Sequence, residues 1–281
     1  MRIALAQTCT GLDPEQNAAD LCDHISAAAA GGASMLFTPE MCGMIDRNRS
    51  RAATHIRSET EDLVLSAVRK AAVNSGIWVS LGSLALRDDG RDDGRVDDKW
   101  VNRSLLINPE GRVVARYDKI HLFDVDLNAE DSWRESAAYA GGKQAVLART
   151  DEAGIGLSIC YDVRFPSLYA ALADQGADIL TVPAAFTVPT GQAHWEVLLR
   201  ARAIESSAFV IAAAQCGTHE DGRRTYGHSM VVDPWGRVLL DMAEDMGVGF
   251  CDIDLNEIEE VRRKLPVLKN RRDFSGPELM E

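Results

Sequence analysis

Two segments of this chain are echoed later in it, and the echo constrains the fold more than any single stretch. Gly32-Ala33-Ser34-Met35-Leu36-Phe37-Thr38-Pro39 parallels Gly176-Ala177-Asp178-Ile179-Leu180-Thr181-Val182-Pro183. Residues 107–114, INPEGRVV, parallel residues 232–239, VDPWGRVL. In both, an Asn or Asp, a Pro and a Gly supply the residues a tight hairpin turn demands. The chain therefore reads as an internal duplication. The first half predicts strands over 2–7, 35–40 and 77–86, helices over 14–31 and 59–75, and a hairpin over 101–117. The second predicts a hairpin over 144–162, a helix over 166–175, a strand over 178–186, a helix over 192–206, a strand over 208–216 and a hairpin over 227–242. A last strand covers 247–253, and the polar stretch Asn256 to Lys264 reads as a helix or turn. This predicts an α/β fold with two sheets packed face to face. No linker separates the halves, so residues 1–281 are expected to form one domain.

Composition excludes several functions. The net charge of −13 argues against non-specific nucleic-acid binding and against docking on anionic membranes. No run approaches the ~18 apolar residues of a membrane span, and the opening Arg2-Ile3-Ala4-Leu5-Ala6-Gln7 reads as a strand and not as a secretory signal. The six cysteines form no CxxC pair and no cluster, so neither a disulfide framework nor a zinc site is expected. Scattered free thiols suit a reducing cytoplasm. The run RDDGRDDGRVDDK, residues 87–99, lacks the ligand ladder of an EF-hand and reads as a solvated loop.

One cysteine stands apart. Cys160 ends the alternating run Gly154-Ile155-Gly156-Leu157-Ser158-Ile159, and Pro166 stands where a helix could begin. A sulfur on a strand-to-helix bend is held out like the nucleophile of an elbow turn, and the N–H groups that follow it can favour a thiolate and later an oxyanion. Most free cysteines are simply small buried hydrophobes, so context decides. Glu40 ends the apolar run Met35 to Pro39, and Lys119 follows the run Val113 to Tyr117. In α/β sheets, active sites gather at the carboxyl ends of strands. Amide hydrolysis through sulfur needs a base for the thiol, donors for the oxyanion and an acid for the leaving amine. Glu40 is suited to the first and last if burial raises its pKa, and Lys119 with the Tyr161 N–H to the second. The plainer alternatives are a capping carboxylate at Glu40 and a surface lysine paired with Asp118. Phe186, Thr190 and His194, on the loop and helix start after a strand, are expected to line the pocket, while Trp195, Leu198 and Leu199 recur at core spacing. A papain-like Cys–His pair has no supporting local pattern.

The segments FTPEM (37–41), YDKIHLF (117–123) and ICYDVRFP (159–166) together resemble the three signatures of the nitrilase, or carbon–nitrogen hydrolase, superfamily. The resemblance runs from RIALAQ at the start to KLPVLKNRR near the end. It implies a four-layer α-β-β-α sandwich with internal pseudo-duplication and a Glu40–Lys119–Cys160 triad. It also implies a second active-site glutamate at Glu135, beside Lys119 or the hydrolytic water, and an Arg164 suited to a substrate carboxylate. A structural pairing of Arg164 with Asp162 remains the alternative. The wording of residues 190–205, 210–238 and 264–272 is similar to the branch that contains deaminated glutathione amidases and ω-amidases, which implies hydrolysis of a small anionic amide, no cofactor or metal, and a homodimer or larger homo-oligomer. A catalytically silent relative would have lost a triad member, and none is lost here; acyl transfer to an amine or thiol is the other rival.

Overall fold

The computed structural model describes residues 1–88, 99–126 and 132–280. Most of the 87–99 run, with the loop reading placed on it, lies outside those residues.

One six-stranded sheet is ordered β16-β1-β2-β3-β4-β5, where β1 is Arg2–Gln7, β2 Met35–Phe37, β3 Trp78–Arg87, β4 Trp100–Ile107, β5 Val113–Asp118 and β16 Gly247–Asp252. The other is ordered β15-β14-β11-β10-β9-β8, where β8 is Val146–Arg149, β9 Gly154–Leu157, β10 Ile179–Thr181, β11 Phe209–Ala212, β14 Met230–Val232 and β15 Val238–Asp241. Each sheet has three parallel central strands (β1-β2-β3 and β9-β10-β11), one antiparallel strand outside the first of these and an antiparallel pair outside the last. The sheets are thus the same motif used twice, as the echo in the sequence requires. Both echoed turns make the same bonds. The Asn108 side chain accepts from Arg112 N at 2.8 Å and that of Asp233 from Arg237 N at 2.8 Å, while Gly111 (φ +72) and Gly236 (φ +86) take the left-handed position that closes each turn.

Alternation along β1 sets the layers. Ile3 and Leu5 enter the core shared with the second sheet, whereas Ala4 and Ala6 join the apolar faces of helices α1 (Pro14–Ala30) and α3 (Leu63–Ser75). The second sheet is covered on its outer face by α4 (Pro166–Asp174) and α5 (Val188–Ser206), through Leu168, Tyr169, Leu172, Trp195 and Leu199. The order is helices, sheet, sheet, helices. Three smaller elements complete the description: the one-turn helix α2 (Arg49–Ala52) and the two hairpins β6–β7 (Asp124–Asp126, Ser132–Arg134) and β12–β13 (Cys216–Thr218, Arg224–Tyr226). Asn256–Lys264 is helix α6. No helix among the described residues is long and apolar enough to cross a membrane.

Several element ends differ from the sequence-based expectation, each for a local reason. Helix α3 starts at Leu63 and not at 59, because the Asp62 carboxylate caps the Leu65 N–H at 2.8 Å. Helix α5 starts four residues before the expected 192, since Pro189 falls in its first turn, where a missing N–H costs nothing. The continuous ladders end at Phe37, Thr181 and Ala212, short of the expected 40, 186 and 216, and beyond them pairing is reduced to single contacts such as the Ala184–Ala214 bridge. Pro39 and Pro183 lack the N–H that would extend the ladders. The apolar runs continue past the ladders, and it is these ends that build the site.

Candidate active site

Glu40 lies in the turn after β2, at 5% exposure. That turn presses on β3 where its register shifts, between Leu81 and Leu84. A Cβ on Gly82 would come 2.1 Å from the Thr38 carbonyl oxygen, so only glycine admits the turn at this depth. Lys119 follows β5 and is 2% exposed. Its Nζ donates to Glu40 Oε1 at 2.8 Å and to Glu135 Oε2 at 2.9 Å. Asp118, the plainer partner for this lysine, pairs with Arg103 at 2.7 Å instead. Glu135 opens a short 3-10 turn and is held by the Phe123 N–H at 2.6 Å.

Cys160 begins a second 3-10 turn, Cys160–Arg164, three residues beyond the end of β9. Its φ of +49 is a left-handed conformation that non-glycine residues rarely adopt. Asp162, fully buried, holds this turn. It accepts from Ile159 N at 2.8 Å, Tyr117 Oη at 2.7 Å and His121 N at 3.0 Å, so one carboxylate ties the nucleophile's turn to the strand end that carries Lys119. The Tyr161 N–H lies in the first turn, where a helix offers no acceptor of its own. It is available to an oxyanion beside the sulfur.

The charges set the protonation states. Burial pushes the Glu40 pKa up, but the Lys119 charge and hydrogen bond, with the Cys160 thiol and the Ala185 N–H, outweigh it and hold the carboxylate below its ordinary range. Raising by burial, the condition set for Glu40 from sequence, is overcome by the lysine. Burial pushes Lys119 down, but Glu135 and Glu40 reverse this and keep it protonated well above its ordinary range. Burial and the Glu40 charge push the Cys160 thiol well up, and Lys119 only partly opposes them. Two carboxylates surround one ammonium, so the resting nucleophile is a thiol beside an ionised glutamate, and not the thiolate expected from the turn alone. Such a pair can pass the proton to Glu40 as the sulfur attacks.

All four groups border one cavity of about 330 Å³, as do Tyr161, Phe186 and Thr190. Arg164 and His194 are not on its wall. Arg164 bonds His194 Nδ1 at 3.3 Å and lies over the rings of Tyr161 and Phe186, at 5.8 and 5.3 Å from their centroids. It braces the wall from behind. No histidine borders the cavity among the described residues. His121 is engaged with Asp162 through Nδ1 at 2.7 Å and stacks on Phe165. Among the described residues no group of three His, Cys, Asp or Glu side chains is placed to hold a metal ion. Asn102 was not among the residues singled out from sequence. Its Nδ2 donates to Glu40 at 3.0 Å and to Glu135 at 3.2 Å, while its buried Oδ1 has no partner. A polar side chain inside the apolar strand Trp100–Ile107 was the available signal. Arg47, Trp133 and Arg223 also border the cavity.

The chain is similar over most of its length to known amidases and to solved structures of the nitrilase superfamily. A deaminated glutathione amidase of Homo sapiens is 42% identical over 271 residues, 96% of this chain and 82% of that protein. One of Yersinia enterocolitica is 37% identical over 275 residues, covering 98% and 94%. Among solved structures, Saccharomyces cerevisiae Nit3, a member of branch 10 of the nitrilase superfamily, superposes with a TM-score of 0.85 at 26% identity, covering 97% of each chain. The Caenorhabditis elegans NitFhit protein gives 0.86 at 37% identity over 96% of this chain, which spans 65% of that longer one. An amidase of Nesterenkonia, at 29% identity, TM-score 0.75 and coverage of 95% and 98%, has been captured with acrylamide added at its active-site cysteine. The carbon–nitrogen hydrolase family model matches residues 2–263, and the chain belongs to that family, within the nitrilase superfamily.

Proposed function

We propose that this chain hydrolyses the amide bond of deaminated glutathione through a thioester on Cys160. The observation that carries the chemistry is the buried Glu40–Lys119–Glu135 network against the Cys160 turn. The names borne by relatives at 37–42% identity support the substrate. Cys160 Sγ attacks the amide carbonyl carbon while Glu40 takes the thiol proton. The negative charge moves to the carbonyl oxygen, beside Lys119 and the Tyr161 N–H. The C–N bond breaks as Glu40 returns the proton to the departing amine of cysteinylglycine. Water then adds to the thioester with Glu40 again accepting a proton. The carbon–sulfur bond breaks, and the proton returns to sulfur as 2-oxoglutarate leaves. Glu135 and Asn102 position Lys119 and Glu40 throughout.

The test is product release from deaminated glutathione, 2-oxoglutaramate and a simple nitrile at equal enzyme concentration. Deaminated glutathione should give the highest kcat/KM, by about tenfold or more, which is ~1.4 kcal/mol of transition-state preference. Preference for 2-oxoglutaramate would make the chain an ω-amidase, and preference for the nitrile would remove the amidase reading.

The proposal extends to a homodimer or larger assembly in the cytoplasm. Val197 and Ile204 lie one heptad apart on α5, exposed at 68% and 42%, and Trp235 at 52% projects from the turn beside Ile204. An apolar strip of this kind suits a self-interface, and six free thiols suit a reducing compartment. Light scattering on a sizing column should give at least twice the 30.6 kDa chain mass; a monomer at micromolar concentration would refute the assembly.

A further inference from the structure

Trp133 separates two guanidiniums that make no hydrogen bond to a carboxylate among the described residues. The Arg47 guanidinium lies 4.8 Å from the indole centroid and that of Arg223 lies 5.0 Å from it, all three on the cavity wall. Arg223 is the inner one, its side chain only 19% exposed. Its Nε is buried with no hydrogen-bond partner. The nearest carboxylate, Asp221, is 3.5 Å from Nη2, and its oxygens already accept the Arg223 N–H at 2.9 Å and the Arg47 N–H at 2.9 Å. Arg47, exposed at the mouth, makes no side-chain hydrogen bond or ion pair with any described residue. A fixed, weakly hydrated guanidinium is rarely left so poorly matched unless something else supplies the charge. The carboxylates on the cavity wall are Glu40 and Glu135, both committed to Lys119, and Asp46, committed to Arg51.

We propose that Arg223, with Arg47 at the mouth and Trp133 between them, forms the subsite that binds a carboxylate of the substrate. Arg164 holds the wall behind it. The guanidinium of Arg223 borders the cavity and can offer its two Nη–H groups end-on, a geometry that a carboxylate accepts in two parallel bonds. The indole fixes both guanidiniums by cation–π contact without competing for their donors. The site therefore selects amides that carry an acid group, which deepens the function proposed above and rests on it only for the identity of the natural substrate.

The test uses Arg223→Gln, Arg223→Lys and Arg47→Gln in the full chain, with three measurements. The first is kcat/KM for deaminated glutathione and for butyramide, a neutral amide. The second is the affinity of glutarate for the Cys160→Ala protein with and without each substitution. The third is the melting temperature. Arg223→Gln should lower kcat/KM for the anionic amide by about 30-fold or more, the scale of a lost charged hydrogen bond, and mostly through KM. It should leave butyramide within about threefold, weaken glutarate by a similar ~30-fold and not lower the melting temperature. Arg223→Lys should recover only part of the loss, because an ammonium cannot reproduce the fork. Arg47→Gln should give a smaller loss of the same kind. Equal losses on both amides with a fall in melting temperature would make Arg223 a structural residue, and unchanged glutarate affinity would equally overturn the proposal. If glutarate binding depends on Arg223 but deaminated glutathione is not cleaved, the subsite stands and the substrate assignment fails.

Discussion

Cys160→Ala should abolish amide hydrolysis, and Cys160→Ser should come close to doing so, with a loss of about 10³-fold or more in kcat. The serine result is the more informative. Glu40 is held ionised below the ordinary carboxylate range by Lys119 and the groups around it. It is therefore a weak base. It can take a proton from a thiol as the C–S bond forms, but an alcohol is many units less acidic and lies beyond its reach. The fold should survive both changes. Cys160 contributes a small side chain at the edge of the core, and its backbone conformation is imposed by Asp162 and by the Cys160 N–H bond to Pro183 O at 2.9 Å. Circular dichroism and melting temperature near the parent's, with no detectable product, is the expected outcome. A serine variant that keeps near-parental turnover would remove Cys160 as nucleophile.

How far the site could be read from sequence depended on how each residue reaches it. Glu40, Lys119 and Cys160 each follow an apolar run, so their place at strand ends was legible and the structure brings all three to one cavity. Their protonation was not, because it depends on how many charges share a buried space. One lysine between two carboxylates leaves the sulfur a thiol, and no local pattern counts neighbours supplied by segments 16 and 79 residues away from that lysine. The two sheets were legible from the echoed turns, since turn chemistry is local. Strand lengths were overestimated because apolar composition records burial and not pairing. Thr38 and Val182, for example, are buried beyond the last ladder residues. Arg223 was hidden for the opposite reason. It sits in the stretch Glu220-Asp221-Gly222-Arg223-Arg224, which has the composition of a solvated turn, and only packing against Trp133 turns it toward the cavity. Arg164, closer in sequence to the nucleophile, is directed to His194 and two aromatic rings.

Lys119→Gln should damage both activity and stability, and the stability loss should grow with pH. The Lys119 side chain is 2% exposed and its two partners are 6% and 14% exposed. Removing the ammonium leaves two buried carboxylates facing each other, and breaking a buried pair in this way costs about 3–5 kcal/mol. The sign with pH follows from Glu40. In the parent its folded pKa lies below the unfolded value, so it contributes stability above the ordinary carboxylate range, and this is lost as pH falls through the lowered pKa. Without Lys119 the largest opposition to the upward push of burial is gone, and only the Cys160 thiol and the Ala185 N–H still act against it. The folded pKa then lies above the unfolded one, and stability is retained at low pH and lost as pH rises through it. The difference in melting temperature between parent and variant should therefore be smaller at about pH 5 than at about pH 8. Turnover should fall by about 10²-fold or more at either pH, because the oxyanion has lost its fixed positive charge. A deficit that is the same at both pH values would show that Glu40 does not depend on Lys119 for its charge. A variant that kept most of its turnover would exclude the lysine from the chemistry.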